Sequence, residues 1–201
     1  MKPTSTDFNE HFPFSTERGS PSEHINSEMM RQMTESKPEI TEKEFAKIMS
    51  KHKLFIENGG LGGTWETLLV ANLVMGIYYD AKPSKGKQAD FFHKNISKII
   101  LKNKNYSTAN FIASIGENVD ISNSVMKNCI FTDAYWSNSN FENCDLQGTD
   151  FSRSDMRNCN FRNCNLENTD FENCNLEGSD FTGAKLFGSK FPGAILKDVK
   201  Y

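Results

Sequence analysis

The run Cys144-Asp145-Leu146-Gln147-Gly148, Thr149-Asp150-Phe151-Ser152-Arg153, Ser154-Asp155-Met156-Arg157-Asn158 places a large apolar residue at every fifth position. Followed outward in both directions, the beat covers 23 positions from Phe91 to Tyr201, and only Gly116 among them is not large and apolar. A period of five matches neither a helix nor a lone strand, so no single element can bury this stripe on one face. The chain must turn at a fixed interval.

With the large apolar residue taken as the centre of each repeat, the residue two before it, from Ala109 to Val199, is always Ala, Ser, Thr, Cys or Val. Both positions carry no charge from Ala109 onward and are expected to point inward. The residue two after the centre, over the 18 positions from Ala113 to Asp198, is Asn nine times and Gly five times. Those residues best tolerate left-handed backbone, which places the bends there.

A longer period sets the number of sides. Phe91, Phe111, Phe131, Phe151, Phe171 and Phe191 recur every twenty residues, as do Phe141, Phe161 and Phe181, and Leu146, Leu166 and Leu186. Four five-residue sides per coil follow, with coils stacked at the ~4.8 Å spacing of paired strands. The expected fold is an all-β square solenoid of about six coils, roughly 27 Å long by the same spacing.

The segments Cys144-Asp145-Leu146-Gln147-Gly148, Cys164-Asn165-Leu166-Glu167-Asn168 and Ser179-Asp180-Phe181 resemble the A(D/N)LXX repeat of the pentapeptide-repeat proteins. The resemblance implies a right-handed quadrilateral β-helix, and it implies little about activity. From Phe91 to Tyr106 the pattern weakens, with Lys94, Ile99 and Lys104 at the small position, so the first coils are expected to be distorted.

Residues 1–40 are rich in Ser, Thr, Glu and Pro and read as a disordered tail, with Phe8, Phe12 and Phe14 as a candidate docking motif. Residues 41–88 read as an N-terminal cap. Thr41 and Glu44 form a capping box, and Phe45, Ile48, Met49 and His52 or Phe55 follow at helical spacing until Gly59, which predicts a helix over about 42–57. A strand is expected over about 65–79, with Ala71-Asn72-Leu73 as a repeat out of register, then a polar loop over 80–88. The solenoid fills 89–201. A cap is needed because the end of a solenoid exposes apolar centres and strand edges.

Chemistry is sparse. Gly59-Gly60-Leu61-Gly62-Gly63 lacks the Gly-Lys-Ser/Thr of a phosphate loop and reads as a connector. His11, His24, His52 and His93 are scattered and read as surface or helix residues, none at ligand spacing. Cys129, Cys144, Cys159, Cys164 and Cys174 all fall at the small inward position and read as packing residues. Cys144 and Cys164 would stack on adjacent coils, near enough to bridge, but free thiols are expected in a cytoplasmic protein. With no secretory segment after Lys2, no membrane-length apolar run and a net charge of −3, a soluble, cytoplasmic protein is expected. No catalytic site, cofactor or metal is assigned, direct nucleic-acid or membrane binding is not expected, and the chain reads as a non-enzyme.

The outer faces are where function is sought. Between Glu117 and Asp180 twelve carboxylates face Lys127, Arg153, Arg157 and Arg162, a local balance of −8. Asp145, Asp150, Asp155, Glu167, Asp170, Glu172, Glu177 and Asp180 form a candidate acidic face, either a solvated surface or a functional one. Glu142 with Arg162, and Arg157 with Glu177, are expected to pair across coils. Ile115, Val125, Ile130 and Tyr135 are a candidate apolar partner surface unless the N-terminal segment folds over them. Phe187, Pro192, Ile195 and Tyr201 mark a candidate homodimer end.

The favoured expectation is a non-catalytic interaction module, a rigid rod read by an unknown protein partner. The runner-up comes from the resemblance. Fluoroquinolone-resistance members of that family resemble duplex DNA in shape and charge and engage type II topoisomerases, which would make this chain a DNA mimic. It departs from them in its helical N-terminal region and in lacking an evident C-terminal dimerising helix.

Overall fold

Parallel bridges join residue i to residue i+20 along the repeat, from Asp90↔Asn110 to Asp180↔Lys200, in a computed structural model that describes residues 32, 35, 36, 39–58, 64–70, 73–79 and 86–201. The tail 1–31, with Phe8, Phe12, Phe14, His11 and His24, lies outside the described residues, as do the connector 59–63 and residues 80–85 of the polar loop.

Each coil is a square because each repeat bends at one residue. Every fifth residue from Asn103 to Asp198 has positive φ, as does His93, and five of these are the glycines 148, 178, 183, 188 and 193. This is the position two after the centre, where Asn and Gly were expected to turn the chain. The bend aims backbone groups along the axis. The Phe111 N–H donates to Ile130 O at 2.8 Å, Ala113 N–H to Thr132 O at 3.0 Å, and Ile130 N–H back to Ala109 O at 3.2 Å. The same three bonds recur on later coils, so interior peptide groups are satisfied without long strands.

Inside the square the aromatic columns are literal stacks. Ring centroids are 4.9 Å apart for Phe91 and Phe111, 4.5 Å for Phe111 and Phe131, 4.8 Å for Phe131 and Phe151, 5.2 Å for Phe151 and Phe171, and 5.0 Å for Phe171 and Phe191. A second stack of Phe141, Phe161 and Phe181 meets the first edge-on. The strand-pairing distance thus becomes the ring-stacking distance, and one repeat satisfies both.

The first coils are irregular where the sequence departs from the pattern. Among the described residues, Lys98 is the one corner from His93 to Asp198 without positive φ, and the next rung, Ile100 with Asp120, is not bridged. Ile99 places a bulky side chain where later coils hold Ala, Ser, Thr, Cys or Val, and Ile100 beside it is 66% exposed.

Helix α1 spans Glu42–Glu57 and starts on the capping box of Thr41 and Glu44; Asn58 closes it through its own side chain onto Leu54 O. Its apolar face lies on the first coil. Phe45 stacks on Phe91 with centroids 5.8 Å apart, continuing the phenylalanine column into the helix. His52 and Phe55 are both buried. His52 lies on the buried face of the helix, where its spacing placed it, whereas the surface-or-helix reading is corrected for His93, a solenoid residue that is 6% exposed. Ile40, assigned to the tail, is also buried, and its N–H donates to Asn95 O at 3.1 Å.

The strand expected over about 65–79 is two strands, β1 at Thr64–Val70 and β2 at Leu73–Tyr79, paired antiparallel from Thr64↔Tyr79 to Val70↔Leu73. Leu73 opens β2 instead of centring an out-of-register repeat. Two β-prone runs separated by two residues have the spacing of a hairpin, and that local pairing prevails over the weak repeat match.

Candidate interaction surfaces

The small inward position holds thiols and hydroxyls for a reason beyond size. Cys129 Sγ donates to Tyr106 O at 3.0 Å, Cys159 Sγ to Trp136 O at 3.0 Å and Cys164 Sγ to Phe141 O at 2.9 Å. Ser139, Thr149, Thr169 and Ser179 donate to the centre carbonyl of the preceding coil in the same way. The carbonyls of Tyr106, Phe141, Met126, Leu146 and Met156 also accept the N–H three residues on, so the side chain is a second partner there, and Cys, Ser and Thr are equivalent donors at this position. All five cysteines are free and buried. Burial pushes every thiol up, Cys144 and Cys159 to about 12, so thiolate chemistry is suppressed. Among the described residues no group of three or more His, Cys, Asp or Glu is placed to hold a metal ion, and no helix is long and apolar enough to cross a membrane.

The acidic face is partly a backbone device. At the position before the centre, Asp150 Oδ1 accepts the Ser152 N–H at 2.8 Å, Asp170 Oδ1 that of Glu172 at 2.9 Å and Asp180 Oδ1 that of Thr182 at 2.9 Å. Asp145 and Asp155 do the same more weakly, at 3.5 and 3.3 Å. Asn160 and Asn175 make the identical bond. The run of Asn and Asp therefore closes a turn at each side, and either residue serves. Bonds from Thr182 hold the Asp180 carboxyl below its usual range, with Arg162 adding to the effect. Glu167, Glu172 and Glu177, one position past the centre, are half-buried.

Ion pairs dilute this face further and differ from those expected. Arg157 turns to Asp155 on its own coil instead of reaching Glu177, and Arg162 lies 3.5 Å from Asp180 instead of pairing with Glu142. For Arg157 a carboxylate two residues away, already oriented by its turn, is the nearer partner. Glu177 is instead bonded by Lys197, which lowers its pKa, and Lys127 lies 3.0 Å from Asp145.

The apolar patch is mostly closed. Ile115, Ile130 and Tyr135 are 4%, 3% and 8% exposed, so the chain itself covers them, and Val125 alone of the four is open at 36%. This corrects the reading of that set as a partner surface. The other end is open. Phe187 is 82% exposed, Tyr201 70% and Ile195 50%, with Pro192 exposed beside them. Leu196, a centre residue of the last coil outside the four expected there, joins them at 39%. Among the described residues the N–H groups of Leu186, Phe191 and Leu196 have no acceptor, whereas those of Leu166, Phe171 and Leu176, one coil earlier, bond to Lys185, Lys190 and Ile195.

The model of the pentapeptide repeat region matches residues 134–201. No curated protein sequence matches the chain. Among solved structures, a pentapeptide repeat protein of the Arabidopsis thaliana thylakoid lumen is similar at 27% identity and a TM-score of 0.50, over 51% of this chain and 71% of that one. QnrB1, a plasmid-mediated fluoroquinolone resistance protein, matches at 18% identity and 0.37, over 55% and 71%. Rfr23 of the cyanobacterium Cyanothece 51142 matches at 20% and 0.35, over 71% and 79%. Residues 134–201 are a pentapeptide repeat region, and the solenoid is the right-handed quadrilateral β-helix of the pentapeptide-repeat proteins.

Proposed function

We propose that this chain is a non-catalytic protein-interaction rod whose last coil is read by a protein partner. The observation that supports this reading is the joint exposure of Phe187, Ile195, Leu196 and Tyr201 beside main-chain N–H groups that have no acceptor among the described residues. An open strand edge with apolar neighbours offers a partner both backbone pairing and burial. A second copy of the chain presenting the same coil is one such partner, and would make a homodimer.

The DNA-mimic reading rests on the acidic faces, where Asp150 and Asp170 are bridge partners on successive coils. It is weakened because these carboxylates accept backbone N–H groups and because Asp145, Asp155, Glu177 and Asp180 have cationic partners. Capture of partners by the immobilised chain, with and without Phe187→Asp and Ile195→Asp, separates the two. Loss of binding in the variant with little salt dependence supports the open end. Steep salt dependence with binding intact in the variant refutes it.

A further inference from the structure

Between α1 and the first coil lies a cavity of about 310 Å³ whose wall includes Lys47, Lys51, Lys87 and Lys94, with Ile40 and Ile48 as its apolar side. Four cations are gathered there by the fold, not by chance of sequence. Lys47 and Lys51 are one helical turn apart on the same face of α1, a like-charge spacing that disfavours the helix. Lys87 is tied to that face because its N–H donates to Lys51 O at 3.3 Å. Gly86 makes the approach possible, since a Cβ there would fall 2.4 Å from Phe55 N and 2.5 Å from Lys51 O. Lys94 belongs to the first coil and is half-buried.

Several lysines elsewhere in this chain have carboxylates beside them. Lys98 is 2.9 Å from Glu39, Lys102 3.4 Å from Asp120 and Lys53 3.7 Å from Glu57. None of the four cavity lysines has a carboxylate within ion-pair distance among the described residues, although Lys94 acts on Glu44 through space. Two carboxylates, Glu44 and Asp90, also line the cavity and keep their charge, since their hydrogen bonds come from neutral donors. Glu44 takes the N–H and O–H of Thr41 at 2.8 and 3.0 Å, and Asp90 Oδ1 takes the Phe92 N–H and the Asn110 amide at 3.1 Å each. Four ammonium groups against two carboxylates leave the lining with a net positive charge.

We propose that this cavity binds a small soluble polyphosphate compound, its phosphate groups among the four ammonium groups and its uncharged part against Ile40 and Ile48. A multiply charged anion relieves the repulsion that the fold builds in, and the volume suits a small molecule better than a protein segment. The site is independent of the open coil at the other end of the rod.

Isothermal titration of the full chain with pyrophosphate at constant ionic strength tests it. The expected result is saturable binding to one site, weakened at least tenfold in both Lys51→Gln/Lys94→Gln and Lys47→Gln/Lys87→Gln, and unchanged in Lys185→Gln/Lys190→Gln. Circular dichroism verifies that each variant is folded, and two cavity pairs guard against loss of either one. Absence of saturable binding to the native chain overturns the proposal. So does equal loss in the distant pair, which would mean diffuse attraction of anions by surface lysines.

Discussion

The indole of Trp136 lies over the α-carbon of Gly116, one coil below, so closely that a Cβ at Gly116 would sit 2.5 Å from the ring. The single exception to the apolar beat is thus filled by the largest residue in the beat. Trp136 is fully buried, donates from Nε1 to Ser114 Oγ at 3.0 Å and meets Phe111 and Phe131 edge-on at 5.5 and 5.1 Å. Gly116→Ala should therefore destabilise the chain by about 1–3 kcal/mol through overpacking, and the penalty should shrink when Trp136→Leu is added. A double-mutant cycle from urea unfolding measures the coupling; additive penalties would mean the two sites do not share space.

Phe151→Ala removes a ring stacked at 4.8 Å on Phe131 and at 5.2 Å on Phe171. The expected loss is about 3–5 kcal/mol, since neighbouring coils pinned by backbone bonds cannot collapse into the gap. A loss of less than about 1 kcal/mol in equilibrium unfolding would contradict the stacked column.

The pH dependence of stability carries the signature of His52. Its Nδ1 accepts the Ala89 N–H at 3.0 Å, which requires the neutral ring, and burial lowers its pKa from the usual 6.5 to about 4. Above pH 6.5 both folded and unfolded forms are neutral at this site and its stabilising effect is complete. As pH falls from 6.5 toward 4, the unfolded chain takes up a proton that the folded chain resists, so stability declines, by about 3 kcal/mol in all. In His52→Leu the slope of unfolding free energy against pH should flatten in that window. An unchanged slope would place the titrating group elsewhere.

Thiol labelling reads the interior. The five cysteines should resist iodoacetamide in the folded chain up to pH 9 and react together once it is unfolded. Cys159→Ser should be tolerated because a hydroxyl can also donate to Trp136 O, whereas Cys159→Asp should prevent folding by placing an unpaired carboxylate in the interior. A well-folded Cys159→Asp chain would break the assignment of inward positions.

Sequence and structure agree where the repeat is strict. The corners at Asn and Gly, the phenylalanine columns and the burial of all five cysteines follow from periods of five and twenty, because each coil repeats one backbone geometry. Legibility fails where two physical demands share a residue type. The Asn and Asp run from Asn140 to Asp180 looks like surface charge, yet its turn bonds are a main-chain requirement. Ile115, Ile130 and Tyr135 look like outward apolar residues because periodicity says which way they point and not what covers them. The lysine cavity was invisible because its members come from a helix, a loop and a coil that only the fold brings together.

Amide hydrogen exchange on the dilute, free chain is the most direct test of a rod closed along its length and open at its last coil. The N–H groups of Leu166, Phe171 and Leu176 should be strongly protected, and those of Leu186, Phe191 and Leu196, twenty residues further on, should exchange quickly. Equal protection of the two sets would show that the last coil is already covered, and would contradict its assignment as the surface a partner reads.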